Sequence, residues 1–369
     1  LYERIKERYP DWEIYQEPWM ESVLADRGIQ APNIEDLKAD AILPTPTYTV
    51  AEGDLIITTR MYWYVKYVKS LCPDKIVHTD LRNHVLSEKT ISNPNQIQYD
   101  AIHAWLAGAD AIGYFSCDYY PTTTPVYNNP GNPTAVARWN ATCSICRFLT
   151  NSEPHTNSDD VLVIYPYYTM IMQRDAHCRI WPSLARLTKM GFNYDLLPST
   201  YIIKHPEILQ NYKLIIVPEA KYEPESFKEI LKNADVPIFF DSHSFMYNKC
   251  GNLTQSDIFN ILMNTSKNRQ EYPITKLDYL NGTVVDLEQT CWGIYTIRSG
   301  DWLTSDHKIL AMFNDGNIAL LRYKNYFFCG LPLFYGLGVS GGIDERFESF
   351  SNFIIQKVFE ELGLENKIK

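Results

Sequence analysis

Short apolar segments alternating with longer helix-patterned stretches constrain this chain more than any other feature of it. Ala39-Asp40-Ala41-Ile42-Leu43-Pro44, Lys75-Ile76-Val77-His78-Thr79-Asp80 and Ala109-Asp110-Ala111-Ile112-Gly113-Tyr114-Phe115-Ser116 follow one another at intervals of about 35 residues, with amphipathic or apolar stretches between them. That interval is what a strand, a crossover helix and the next parallel strand occupy, and such crossovers are almost always right-handed. A parallel sheet flanked by helices is therefore expected over the first 150 residues or so. Trp12-Glu13-Ile14-Tyr15 is a further strand candidate ahead of it, after a helix over residues 1–8.

The helices are read from the same pattern. Residues 54–71 carry Met61-Tyr62-Trp63-Tyr64-Val65-Lys66-Tyr67-Val68 and close at Cys72-Pro73-Asp74; residues 96–107 stop at Gly108; residues 135–150 form another helix. The tract Thr-Asn-Ser-Glu-Pro-His-Thr-Asn-Ser-Asp-Asp over 150–160 is polar and contains proline, which marks it as a linker. It divides the chain into 1–149 and 161–369.

Beyond the linker a second α/β series begins. Val161-Leu162-Val163-Ile164-Tyr165, Tyr194-Asp195-Leu196-Leu197, Lys213-Leu214-Ile215-Ile216-Val217-Pro218 and Pro237-Ile238-Phe239-Phe240 read as buried strands, with helices at 180–190 and 223–233. Five-residue apolar strands between amphipathic helices predict a doubly wound, flavodoxin-like sheet. Residues 250–306 break the rhythm and are expected to form a small β-rich insertion. Ile318–Tyr323 and Asn325–Gly330 then form a hairpin, and 347–362 a final helix with Phe350, Phe353, Ile354, Val358 and Leu362 along one face.

Composition excludes several classes of function. Lys and Arg number 34 against 44 Asp and Glu, a net charge of −10, so the basic footprint of a nucleic-acid binder is missing. No apolar run approaches the ~18 residues of a membrane span, and the opening residues have no signal-peptide pattern. Cys143-Ser-Ile-Cys146 has no second pair to complete a zinc site and falls within a helix, so it reads as a reduced pair and no metal is expected. Compartment cannot be read from the chain.

The order Ala39–Pro44, Lys75–Asp80 and Ala107-Gly108-Ala109-Asp110-Ala111-Ile112-Gly113-Tyr114-Phe115-Ser116 resembles the last three strands of clan A glycoside hydrolase barrels, closest to the family 42 β-galactosidases. Residues 160–164, 191–197, 213–218 and 328–331 resemble the trimerisation domain of the same family, an amidotransferase-like fold. The resemblance implies the end of a (β/α)₈ barrel joined to a flavodoxin-like domain. It implies β-galactosidase-like hydrolysis of O-glycosidic bonds on a carbohydrate substrate without a cofactor, and homo-oligomers formed through the second domain. It also implies an N-terminal barrel half that precedes residue 1. A non-catalytic carbohydrate-binding or structural protein with the same architecture is the alternative.

Retaining glycosidases hold two carboxyls about 5–5.5 Å apart at the carboxyl ends of barrel strands. By resemblance Asp80 stands at the nucleophile position, where the family has Glu. Tyr15-Gln16-Glu17-Pro18-Trp19 resembles the Asn-Glu-Pro acid/base signature with Gln in place of Asn. Too few strands separate Glu17 from Asp80 for strands four and seven, so Glu17 is either the acid/base or a carboxylate at the end of strand five. Tyr48, His78, Arg82, His84, Asp118, Tyr119 and Tyr120 follow predicted strands closely, on the barrel face where loops build a sugar cleft. In the second domain Pro218-Glu219-Ala220-Lys221 offers no nucleophile elbow. Pro166-Tyr167-Tyr168-Thr169-Met170 offers no Gly-rich phosphate loop, and Asp241-Ser242-His243-Ser244 reads as a polar loop.

Overall fold

The computed structural model describes residues 2–11, 15–16, 41–42, 55–82, 94–115, 133–153, 160–172, 177–241, 244–245, 247, 250–251, 269–272, 276–278, 284–286, 294–298, 303–312, 316–330 and 345–364. The chain forms two compact units, Leu1–Asn157 and Ser158–Lys369.

In the first unit, helix α1 (Tyr2–Arg8) precedes strands β1 (Tyr15–Gln16) and β2 (Ala41–Ile42). Helix α2 (Leu55–Leu71) leads to β3 (Ile76–Arg82), α3 (Pro94–Leu106) to β4 (Ala111–Phe115), and α4 (Pro133–Thr150) follows. The four strands lie in sequential order and every pairing is parallel. Sequential parallel strands, with helices α2 and α3 in the connections from β2 to β3 and from β3 to β4, are the repeating unit of a (β/α)₈ wall.

The aromatic run of α2 explains where the core sits. Met61, Tyr62, Trp63, Tyr64, Val65 and Val68 are all buried, on every side of the helix, as expected of a helix apolar all round. Gln96, Asp100 and Arg60 enter this core together. Asp100 of α3 accepts a hydrogen bond from Gln96 Nε2 (2.7 Å) and faces Arg60 of α2 at 3.5 Å. Its complete burial outweighs both partners and pushes its pKa up to about 6.

The turn between α3 and β4 has a clear chemical cause. Gly108 sits at φ 92° and so supplies the left-handed residue that ends α3. Asp110 accepts the Val77 backbone N–H at 2.7 Å and pairs with Lys69 at 2.5 Å, tying the start of β4 to β3 and α2.

The second unit contains a nine-stranded mixed sheet. Strands β5 (Val161–Tyr165), β6 (Asp195–Pro198), β7 (Leu214–Val217) and β8 (Ile238–Phe240) are parallel. Between them lie α5 (Tyr167–Met172), α6 (His177–Lys189), α7 (Ser199–Lys204), a 3₁₀ turn (Pro206–Asn211) and α8 (Glu225–Lys232). Later come β9 (Arg269–Tyr272), β10 (Lys276–Asp278), β11 (Val284–Asp286), β12 (Ile294–Arg298), β13 (His307–Met312), β14 (Asn317–Tyr323), β15 (Tyr326–Cys329) and helix α9 (Glu345–Leu362). The order β6-β5-β7-β8-β15 is the 2-1-3-4-5 order of flavodoxin-like sheets, with β15 added parallel to β8.

Three details go beyond the sequence expectations. Within the β-rich stretch, β12 pairs with β14 and β9 with β12, extending the main sheet, and β10 and β11 pair with one another as a two-stranded sheet. Strand β13, hidden in its polar flanks, pairs with β14 through two register shifts. On α9 the buried stripe is Ser351, Ile354, Ile355, Val358 and Phe359 rather than one through Phe353 and Leu362. Ser351 accepts a 2.6 Å hydrogen bond from buried Arg186, and Phe359 stacks on Phe192 at 4.0 Å. Two partners on neighbouring elements therefore rotate the helix away from the orientation its apolar residues alone suggest.

Candidate functional site

Strand β3 presents two chemically different faces. Val77, Thr79 and Leu81 are at most 1% exposed, whereas Ile76 is 42% exposed and His78 is half-buried. Side chains alternate along a strand, so His78, Asp80 and Arg82 occupy register positions on the face opposite the buried one. Asp80 and Arg82 are described by backbone alone. Parallel pairing sets His78 beside Ala111, Asp80 beside Gly113 and Arg82 beside Phe115.

Gly113 keeps space open on that face. A Cβ built there would lie 2.5 Å from His78 Nε2 and 3.3 Å from the Thr79 carbonyl, so the imidazole occupies the volume that any other residue would fill. His78 and Gly113 therefore form one packed unit. A histidine held there is a hydrogen-bond donor or acceptor, and Asp80 and Arg82 extend the row with opposite charges toward the carboxyl end of the strand.

The strand containing Gln16 runs directly into Glu17, and β1 is separated from β3 by β2 alone. Glu17 itself, Tyr48, His84, Asp118, Tyr119 and Tyr120 lie outside the described residues. Sequence reasoning missed Gly113: a glycine within a strand signals close approach of another group, and that signal was present in Ile112-Gly113-Tyr114.

The other polar motifs resolve as structural. Cys143 and Cys146 are free thiols one turn apart on α4. Burial raises the Cys146 pKa, Cys143 adds to the rise, and the hydrogen bond with Tyr114 of β4 opposes it; a thiol held protonated in this way is a poor nucleophile. Among the described residues no three His, Cys, Asp or Glu side chains gather as a metal site, and no helix is long and apolar enough to cross a membrane.

In the second unit, buried Asp241 accepts the Glu219 N–H at 2.8 Å and the Ser244 hydroxyl at 3.0 Å, so it acts as a brace for the turns after β7 and β8; Ser242 and His243 lie outside the described residues. Glu219 adopts φ 49°, so the backbone after β7 does make a strained turn, although no nucleophile sits on it. Fully buried Glu223 accepts from the Thr169 N–H (3.2 Å) and hydroxyl (3.3 Å) at the start of α5. Burial drives its pKa up to about 7 against hydrogen bonds from Ser199, Thr169 and Tyr168.

No family model matches the chain, and no curated protein matches it. Solved structures do. Gan42B, a GH42 β-galactosidase from G. stearothermophilus, is similar with a TM-score of 0.65 at 12% identity, covering 98% of this chain and 55% of that one. A β-galactosidase from the psychrophilic Marinomonas ef1 has a TM-score of 0.65 at 11% identity, covering 99% of this chain and 57% of that one. The likeness is one of fold: this chain has the architecture of the end of a GH42 barrel and the α/β domain that follows it. It spans a little over half the length of those structures.

Proposed function

We propose that the chain is the C-terminal part of a β-galactosidase-like glycoside hydrolase that cleaves O-glycosidic bonds with two carboxyls, Asp80 acting as the nucleophile. The observation that carries this reading is the register of β3, which sets His78, Asp80 and Arg82 at alternate positions to buried Val77, Thr79 and Leu81 in a wall of sequential parallel strands. The likeness of the fold to GH42 β-galactosidases supports this reading.

In this mechanism one Asp80 oxygen attacks the anomeric carbon as a second carboxyl protonates the leaving oxygen. Water then enters as that second group takes a proton back, and the glycosyl–Asp80 ester is hydrolysed. His78 and Arg82 would hold ring hydroxyls, with Tyr48, His84, Asp118, Tyr119 and Tyr120 at the loop rim. Glu17, one strand short of the expected spacing, serves better as a cleft carboxylate than as the acid/base. A barrel wall closes with eight strands, so in this reading the second carboxyl comes from a strand other than the four described ones. The second unit mediates oligomer contacts.

Asp80 in place of Glu favours one other reading. Its carboxylate is shorter by a methylene, over an ångström, which is enough to disable a nucleophile, and the architecture would then serve to bind carbohydrate without cleaving it. Hydrolysis of nitrophenyl galactosides, glucosides and arabinosides by the intact protein separates the two. The enzyme reading expects turnover that falls by about 10³-fold or more in Asp80→Asn. Absence of turnover on all three substrates sinks it and leaves the binding reading.

A further inference from the structure

Glu223 joins three segments that leave the carboxyl edge of the parallel strands in the second unit. It follows β7 in the chain and is fully buried. Its Oε1 accepts the Thr169 N–H (3.2 Å) and the Thr169 hydroxyl (3.3 Å) on α5, the segment after β5. Ser199, the first residue of α7 after β6, donates to the same carboxyl and accepts the Tyr167 N–H at 3.3 Å. Tyr222 N–H closes the ring of contacts by donating to Thr169 Oγ1 (3.0 Å).

Helix α5 depends on this hub. It is six residues long, too short to persist by its own hydrogen bonds. Only Thr169 and Met170 on it are buried; Tyr167 and Tyr168 are half-buried, and Ile171 and Met172 are 41% and 44% exposed. An element with so little burial lies at the low end of local stability, so the groups that tether it set how often it opens. The tether is itself ionisable. Burial drives the Glu223 pKa up to about 7 against the hydroxyls of Ser199 and Thr169 and the N–H groups of Thr169 and Tyr168, and no charged side chain contributes. The other ionisable groups on these segments are Tyr167 and Tyr168 on α5, Tyr201 and Lys204 on α7, and Glu219, Lys221 and Tyr222 after β7. Asp241 after β8 binds the Glu219 N–H, and Glu225 at the start of α8 pairs with Lys228. Tyrosine and lysine ordinarily titrate above the neutral range, which leaves Glu219 and Asp241 as the competing buried acids.

We propose that Glu223 is a proton-controlled latch: with its carboxyl protonated it holds α5 to the segments after β6 and β7, and with its carboxyl ionised it lets α5 undock. The latch needs neither Asp80 nor the barrel chemistry. Once undocked and hydrated, the carboxyl returns to its ordinary value of 4.5, so the docked state holds the proton more tightly. Docking is therefore strongest in acid, weakens as pH rises from about 5, and levels off once pH passes about 7. Hydrogen exchange of the full chain between pH 5 and 8, corrected for the intrinsic pH dependence of exchange, tests it. Protection of the α5 amides is expected to fall about 50-fold across that range, while the amides of Leu214–Val217 in β7 keep theirs. Glu223→Gln retains an acceptor and cannot ionise, so its α5 protection should be the same at every pH. Because that variant can disturb the buried hub, Ser199→Ala is the second. It removes a hydroxyl that favours the ionised form, so protection should go on falling past the pH at which the wild type levels off. A pH-independent α5 in the wild type overturns the proposal, as does a Ser199→Ala profile that levels off with the wild type. So does a fall that survives in Glu223→Gln, which would assign the titration to Glu219 or Asp241, or an equal fall in β7, which would mean unfolding of the whole unit rather than release of α5.

Discussion

Strands β3 and β5 are both parallel, both central in their sheets and both flanked by helices, yet they are built on different rules. In β5, Val161 to Ile164 are buried in succession on both faces, at most 4% exposed. In β3, Val77, Thr79 and Leu81 are buried while Ile76 is exposed and His78 half-buried, and Asp80 and Arg82 follow His78 at alternate register positions. A strand covered on both faces commits every side chain to packing, whereas one covered on a single face leaves alternate positions free for polar groups. In this molecule the first pattern marks scaffold and the second marks the candidate site.

The comparison predicts where substitutions act. The largest effect belongs to the doubly covered sheet: Phe240, fully buried and stacked with Phe328 at 5.5 Å, should cost about 3–5 kcal/mol as Phe240→Ala. Urea unfolding measures this, and a cost below about 1 kcal/mol would break the distinction between the sheets. Next come the two buried acids, one in each unit. Asp100 rises from 3.8 to about 6 and Glu223 from 4.5 to about 7, so the unfolded chain releases each proton at lower pH than the folded one. Their contribution is present in full below pH 4 and is lost as pH rises to about 7, by about 3 kcal/mol for each group. Glu223→Gln keeps an acceptor for Thr169 but cannot ionise. Its stability measured from pH 4 to 8 should lack the part of the decline due to this group; an unaltered slope would show that Glu223 titrates normally. A smaller loss follows Asp110→Ala, which removes the acceptor of the Val77 N–H and the partner of Lys69. About 1–3 kcal/mol is expected from thermal unfolding.

These differences also explain how much could be read in advance. Periodicity located β5 to the residue and the cores of β3 and β7, because runs such as Leu214-Ile215-Ile216-Val217 have no other stable arrangement. It missed α5, since Tyr167-Tyr168-Thr169-Met170 is held as a helix by the Glu223 carboxylate, 54 residues along the chain from Thr169. It missed β13, whose half-exposed residues alternate weakly and which is fixed by β14. At the candidate site, the face shared by His78, Asp80 and Arg82 was legible from a period of two. The contact between His78 and Gly113 was not, because register between strands is set by the sheet as a whole.

Gly113→Ala should have the smallest effect on stability and is the sharpest test of the difference between the two faces. Its Cβ would press on the half-buried His78 ring, which can swing outward, and on the Thr79 carbonyl, which can shift by a few tenths of an ångström. Overpacking of a closed core costs about 1–3 kcal/mol, so an open face should place this substitution at or below the lower figure. Ligand binding should respond out of proportion, because the imidazole that leaves is the polar group nearest the Asp80 row. A loss of carbohydrate affinity or turnover of about tenfold at nearly unchanged thermal stability would mark the β3 face as functional. A stability loss of about 3 kcal/mol would instead show that this face is packed as tightly as β5, and the contrast between the two strands would fall with it.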